Sequence, residues 1–266
     1  MPTDALEVVM AALAASPKYV DVAPDLVRRL AVGEIAKRRT AKEATKATKE
    51  KLHQIGGAFL SPSLPYARWL ADLRAAPDAV AQRAVCTAIM ANHTSMRERL
   101  PFLTDFYAAI FADLPPIHSV LDVACGLHPL AALWMPLAPG AAYHASDIYG
   151  SMMGFLGEAL GVLGIAGQTT WADASVTPPR TAVDLAFVLK ALPTLEQLDR
   201  DAGRRLLLRI DARYLVVSFP RQSLGGRQKG MSAFYEAHFQ ELIVDQPWDV
   251  RRLTFPTELV FIIAKR

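Results

Sequence analysis

From about Pro101 onward, short apolar runs alternate with segments of helical periodicity, and this rhythm limits the chain to a small set of folds. Parallel strands need a long crossover between them, usually a helix, so repeated strand-helix units predict a largely parallel sheet with helices on both faces. Candidate strands cover residues 119–124, 142–146, 169–172, 183–188, 214–219, 249–255 and 259–264. The last two lie close enough in the chain to form an antiparallel hairpin. Seven such strands define an α/β class with a doubly wound sheet. Ahead of them the pattern differs. In ALEVVMAALAA, APDLVRRLAVGEIAKRR, YARWLADLRAA and AVAQRAVCTAIMANH, apolar residues recur three and four apart, which predicts helices only. The expected organisation is an N-terminal all-helical domain over 1–100 and an α/β domain over 101–266.

Composition excludes some classes. The chain is 52% hydrophobic and 21% charged, as a folded globular protein should be, with a net charge of only +3. Residues 123–146 carry no charge and are long enough to span a bilayer, but Pro129, Pro136, Pro139, Gly126 and Gly140 break them. No membrane span is expected. The first twenty residues lack a basic stretch followed by an apolar core and a cleavage site, so a cytoplasmic location is expected. Cys86 and Cys125 are the two cysteines, far apart and without partners at metal-ligand spacing. Reduced, packed thiols and no metal centre follow.

The segment SVLDVACGLHPLAALW carries the first chemical signal. An apolar strand ends around Asp122, Gly126 permits a tight turn, and a helix is expected from Pro129, with Asp122, Ala124 and Gly126 as candidates for the cofactor site. Dinucleotide enzymes place several glycines here to receive a pyrophosphate on the helix N-terminus. A single glycine suits a ligand without phosphates, with an amino-acid head and a nucleoside. A strand ending in D-x-x-C-G resembles motif I of class I methyltransferases. Asp147, followed by Ile148, ends the second strand and suits the ribose hydroxyls; Asp173, followed by Ala174, ends the third and suits an adenine amine. Three aspartates at three successive strand ends point to cofactor binding over mere loop capping. His128 is read as a loop residue that shapes the site.

Positive charge is concentrated in two places. Between Arg28 and Lys51 stand nine basic residues (Arg28, Arg29, Lys37, Arg38, Arg39, Lys42, Lys46, Lys49 and Lys51) against three acidic ones. Such a face is either a solvated helix surface or a phosphate-binding one. The second place follows the fifth strand, where VVSFPRQSLGGRQKGM sets Arg221, Arg227 and Lys229 among glycines. A basic loop beside a methyl donor can clamp a nucleic-acid backbone and hold a flipped base. Lys190, just past the fourth strand, lies where ligands bind in such sheets.

Taken together, SPKY, PDLVRRL, KLHQIGGAFLSP, SMRERL, VLDVACGLHPLAAL, DLAFVLKALPTLE, SFPRQSLGGRQKGM and TELVFIIAKR resemble the 16S rRNA (guanine-1405-N7) methyltransferases that confer aminoglycoside resistance. SLGGRQKGM is the most specific of these segments. The resemblance implies a class I fold using S-adenosylmethionine, a helical domain that docks on the 30S subunit, and Arg97 of SMRERL reaching the cofactor carboxylate. It is weaker over 67–92 and in SMMGFLGEALGVLG, which bears on the docking surface. Guanine N7 has an in-plane lone pair and loses no proton on methylation, so no general base is expected. Lys190, Arg221, Arg227 and Lys229 are the candidates for positioning the base. The rival readings are a methyltransferase for another rRNA position or for a small molecule, and a non-enzymatic RNA-binding module.

Overall fold

A computed structural model describes residues 2–56, 64–175, 181–197, 199–221 and 230–265. Its helices are α1 (Pro2–Ala14), α2 (Pro24–Ile35), α3 (Ala41–Gly56), α4 (Tyr66–Ala75), α5 (Ala79–Met90), α6 (Thr94–Arg99), α7 (Leu103–Phe111), α8 (Gly150–Val162), α9 (Leu192–Glu196), α10 (Ala202–Arg209) and α11 (Met231–Leu242). Its strands are β1 (Ser119–Val123), β2 (Ala142–Asp147), β3 (Ala166–Trp171), β4 (Val183–Leu189), β5 (Ala212–Pro220), β6 (Asp249–Thr254) and β7 (Glu258–Ala264). They form one sheet in the order β3-β2-β1-β4-β5-β7-β6. The first five are mutually parallel, and β7 runs antiparallel to both β5 and β6.

Burial explains this order. β1, β4, β5 and β7 are apolar on both faces and buried along most of their length, so they take the centre. β3 (AGQTTW) and β6 (DVRRLT) carry polar or charged residues, are largely exposed, and form the two edges. β3 starts at Ala166, earlier than the apolar pattern suggests, because an edge strand with a polar outer face lacks a continuous apolar run.

The helical part does not share one core. Trp69, Leu73, Ile89, Phe106, Tyr107 and Ile110, on α4, α5 and α7, pack with Tyr143 and Phe187 of the sheet and Leu156 of α8. Helices α1 to α3 close around a separate cluster that includes Val9, Leu13, Leu26, Leu30 and Leu52. Ile148 and Tyr149, from the loop after β2, pack against that second cluster. After β1, the expected α-helix is instead a 3₁₀ helix, His128–Trp134. Met135 is extended (ψ 132°) before Pro136, as the proline ring demands, and this ends the segment after two short turns. No described helix is long and apolar enough to cross a membrane.

Candidate functional site

The strand order reverses at β1: β2 and β3 lie to one side, and β4 and β5 to the other. Open α/β sheets bind ligands in the crevice beyond the strand ends at this point. Here the backbone takes left-handed conformations at Ala124 (φ 51°), Gly126 (φ 53°) and Lys190 (φ 56°). For Ala and Lys this conformation costs on the order of 1–3 kcal/mol each, and such strain concentrates at functional sites. Gly126 is required on a second count, since a Cβ there would lie 2.5 Å from His93 Nε2.

Ala124, Gly126, Leu189 and Ala191 line the cleft from the sheet side, facing His93, Tyr149, Met152 and Leu195. Asp147 supplies its carboxylate. The Gly126 N–H donates to Asp147 Oδ2 (2.9 Å) and the Ile148 N–H to Oδ1 (2.6 Å). Burial nonetheless pushes this carboxyl up to about 6, against the pull of those two donors. Burial lowers His93 to about 4, helped by the positive charges of Arg99 and Lys190, so the imidazole is neutral near pH 7.

Beneath the cleft lie two buried polar networks. In one, Tyr143 donates to Asp122 Oδ2 (2.8 Å), His128 Nδ1 lies 2.7 Å from the same oxygen, and Tyr107 Oη lies 2.7 Å from His128 Nε2. In the other, Arg99 makes a two-pronged ion pair with Glu258 (2.8 and 2.9 Å), and its guanidinium stands over the Phe106 ring. Lys190 Nζ reaches Glu98 (2.7 Å) and Glu258 (3.5 Å).

Several expected site residues stand elsewhere than their sequence positions suggest. Ala124, Gly126, Asp147, Ile148 and Lys190 line the cleft. Asp122 does not: its carboxylate points into the core, to Tyr143 and His128. Asp173 is buried and bound by Arg29 (2.7 Å) and by the Ser175 N–H and hydroxyl, and Ala174 is packed in the core. Arg29, itself half-buried, is therefore committed to an internal acid. Lys190 is buried and ion-paired with Glu98 and Glu258 in the wall of the cleft. Arg221 ties β5 to its surroundings through the Phe255 carbonyl (2.8 Å) and Ser232 Oγ (3.3 Å). Arg97 is exposed and donates weakly to the Ala91 carbonyl (3.4 Å). Arg227 and Lys229 lie outside the described residues.

Of the basic helical face, Arg28, Lys37, Arg38, Arg39, Lys42 and Lys46 are exposed and Lys49 is half-buried. Arg38 and Lys51 both pair with the buried Glu34 (3.3 and 2.6 Å). His93, Tyr149, Met152 and Leu195 were absent from the sequence reading of the cleft, as were Arg99 and Glu258 beneath it. Glu258 was detectable in principle, since a lone acid opening the apolar run ELVFIIA needs a buried partner.

This sheet order, with the antiparallel seventh strand and the crevice beyond β1 and β4, defines a class I methyltransferase fold. Residues 15–262 match the family model described as ribosomal RNA methyltransferase (FmrO), and the chain belongs to that family. It is 40% identical to the 16S rRNA (guanine(1405)-N(7))-methyltransferase of Micromonospora echinospora, over 99% of this chain and 98% of that one. It is 33% identical to the enzyme of the same name from Serratia marcescens, over 96% and 97%. Among solved structures, the 16S rRNA methyltransferase RmtF in complex with S-adenosyl-L-homocysteine superimposes with a TM-score of 0.84 at 29% identity, covering 98% of both chains. The 16S rRNA methylase RmtB gives 0.80 at 27%, with the same coverage.

Proposed function

We propose that this chain transfers the methyl group of S-adenosylmethionine to N7 of guanine 1405 in 16S rRNA, within the 30S subunit, and so protects its host's ribosomes from aminoglycosides. The observation that carries this reading is the 40% identity to an enzyme of that activity along 99% of the chain. Acting on ribosomal subunits would make the protein cytoplasmic.

The cleft suits the cofactor. The Asp147 carboxylate accepts the Gly126 and Ile148 N–H groups, is favoured also by the Tyr149 N–H, and keeps acceptor capacity for a ribose hydroxyl. Ile148, Met152 and Leu195 offer apolar surface to a purine. The neutral His93 puts no positive charge beside a sulfonium. S-adenosylmethionine supplies an electrophilic methyl group on that sulfonium. Guanine N7 attacks through an in-plane lone pair and releases no proton, so the chain needs no general base. Its task is to fix N7 about 3 to 3.5 Å from the methyl carbon and in line with the breaking bond.

Lys190, held by Glu98 and Glu258, acts by keeping the end of β4 in its left-handed conformation. Contact with the flipped guanine falls instead to Arg227 and Lys229, and contact with the cofactor carboxylate to Arg97. Helices α1 to α3, with their own core, form the docking lobe, so the functional boundary falls between α3 and α4. The test is methyl transfer to 30S subunits, to free 16S rRNA and to small-molecule acceptors, with the modified nucleotide mapped by chain cleavage at 7-methylguanine. Cleavage at guanine 1405 in 30S subunits alone is the expected result. Modification elsewhere, or of a small molecule, overturns the proposal.

A further inference from the structure

The docking lobe is tied at two points, both made by the segment Asp21–Arg29, to the loop after β2, which lines the cofactor cleft, and to the loop after β3, which lies beside it. At the first, the segment grips the loop that follows Asp147. The Ala23 N–H donates to the Ile148 carbonyl (2.8 Å) and the Gly150 N–H to the Asp21 carbonyl (2.9 Å), with Val22 and Tyr149 in a β-bridge between them. Asp21 Oδ1 also accepts from the N–H and hydroxyl of Ser151, each at 2.7 Å. At the second, Arg29 reaches across to the end of β3. Its Nε and Nη2 donate to Asp173 Oδ2 (3.1 and 2.7 Å) and Nη2 also to Ser175 Oγ (3.1 Å), while Asp25 accepts the Asp173 N–H (3.1 Å).

The loops after β2 and β3 are neighbours, joined by the Ala172 N–H to the Asp147 carbonyl (3.1 Å). A shift of the lobe therefore reaches both loops, and the first of them carries the cleft residues Ile148 and Tyr149. A planar guanidinium that binds a buried carboxylate through two nitrogens fixes its orientation in a way a point charge cannot.

We propose that Arg29 is a positioning residue for the cofactor site, acting through Asp173, and that it links the lobe's seat on the ribosomal subunit to cofactor affinity. This rests on the proposed function above. A lobe held on the 30S subunit orders both loops, and a filled cleft orders the lobe, so each binding event favours the other. Linkage requires the two effects to be equal.

The experiment measures 30S affinity of the full chain with and without saturating S-adenosyl-L-homocysteine, for the parent, Arg29→Ala, Arg29→Lys and Asp21→Ala. The ligand should tighten 30S binding of the parent by about fivefold or more. The ratio should fall close to one in Arg29→Ala, drop in Asp21→Ala, and recover partly in Arg29→Lys. If Arg29 is a phosphate contact, Arg29→Ala weakens docking equally with and without ligand, and the inference fails. If it is only structural, the melting temperature falls while the ratio persists, and the inference fails again. A parent ratio of one also overturns it. Should Arg29→Ala not fold, Asp21→Ala and Arg29→Lys decide. Absence of ligand binding to the parent overturns the cofactor reading and this inference with it; binding without linkage overturns this inference alone.

Discussion

Asp147 is a carboxylate whose charge is opposed by burial and favoured by the backbone N–H groups of Gly126, Ile148 and Tyr149, with burial winning and pushing its pKa up to about 6. Ribose hydroxyls would add two more donors, and these favour the ionised form. The complex therefore holds Asp147 at a lower pKa than the free protein does, and binding below about pH 6 must expel a proton. Affinity for S-adenosyl-L-homocysteine should fall as pH drops through that value and be flat above it. Asp147→Asn should weaken binding by about 1–3 kcal/mol at pH 7 and abolish the acid limb, since it leaves polar ligand groups imperfectly paired and removes the titration. Calorimetry from about pH 5 to 8 measures both. An unchanged acid limb in the variant would mean that another group titrates and that Asp147 does not hold the ribose.

At the scale of elements, β7 is joined to α6 by the fully buried pair of Glu258 and Arg99. Burial would raise the Glu258 pKa, but the charges of Arg99 and Lys190 outweigh it and hold the carboxyl below its ordinary value. A carboxyl depressed in the folded state stabilises the fold at neutral pH, and that contribution is lost as pH falls through the folded pKa. Glu258→Gln should cost about 3–5 kcal/mol at pH 7, because Arg99 is left buried without its counter-charge. It should also remove part of the acid-induced loss of stability; urea unfolding at neutral and acidic pH reads both. Arg99 and Glu258 are 159 residues apart, and no local pattern pairs them. The same limit hid the pairing of Arg29 with Asp173, 144 residues apart. Strands buried on both faces were legible in the sequence because their apolar runs are continuous, whereas the polar edge strand β3 was legible only in its final residues. The three strand-end aspartates were legible as positions, but alternation along a strand leaves open which of them turns to the cleft. Only Asp147 lines it, while Asp122 and Asp173 serve the core and the lobe.

On the scale of the whole molecule, internal pairing reduces the positive charge that helices α1 to α3 present outward. Arg29 is bound to Asp173, and Arg38 and Lys51 flank Glu34, so a plain count of basic residues overstates the lobe's outward charge. What remains gathers partly in a groove of about 570 Å³ between α1 and α3, where Lys18, Lys42, Lys46 and Lys49 surround Val8, Ala12 and Tyr19. Lys46 lies 4.0 Å from Glu50 in a highly exposed pair, and such a pair does little to neutralise it. Contacts of lysine with rRNA phosphates release counterions, so each lowers the slope of log affinity against log salt by about 0.7–0.9. Replacing Lys42, Lys46 and Lys49 together by alanine should therefore weaken 30S binding at physiological salt and flatten the slope by about two to three. None of the three touches Asp21, Arg29 or the loops they hold, so the free protein should bind S-adenosyl-L-homocysteine as the parent does. Filter binding across a salt series, with calorimetry alongside, separates the two effects. In a susceptible bacterium the triple variant should lose the protection against aminoglycosides that the parent is expected to confer. If the salt slope does not change, the lysine groove is a solvated helix surface, and the lobe meets the subunit through another face.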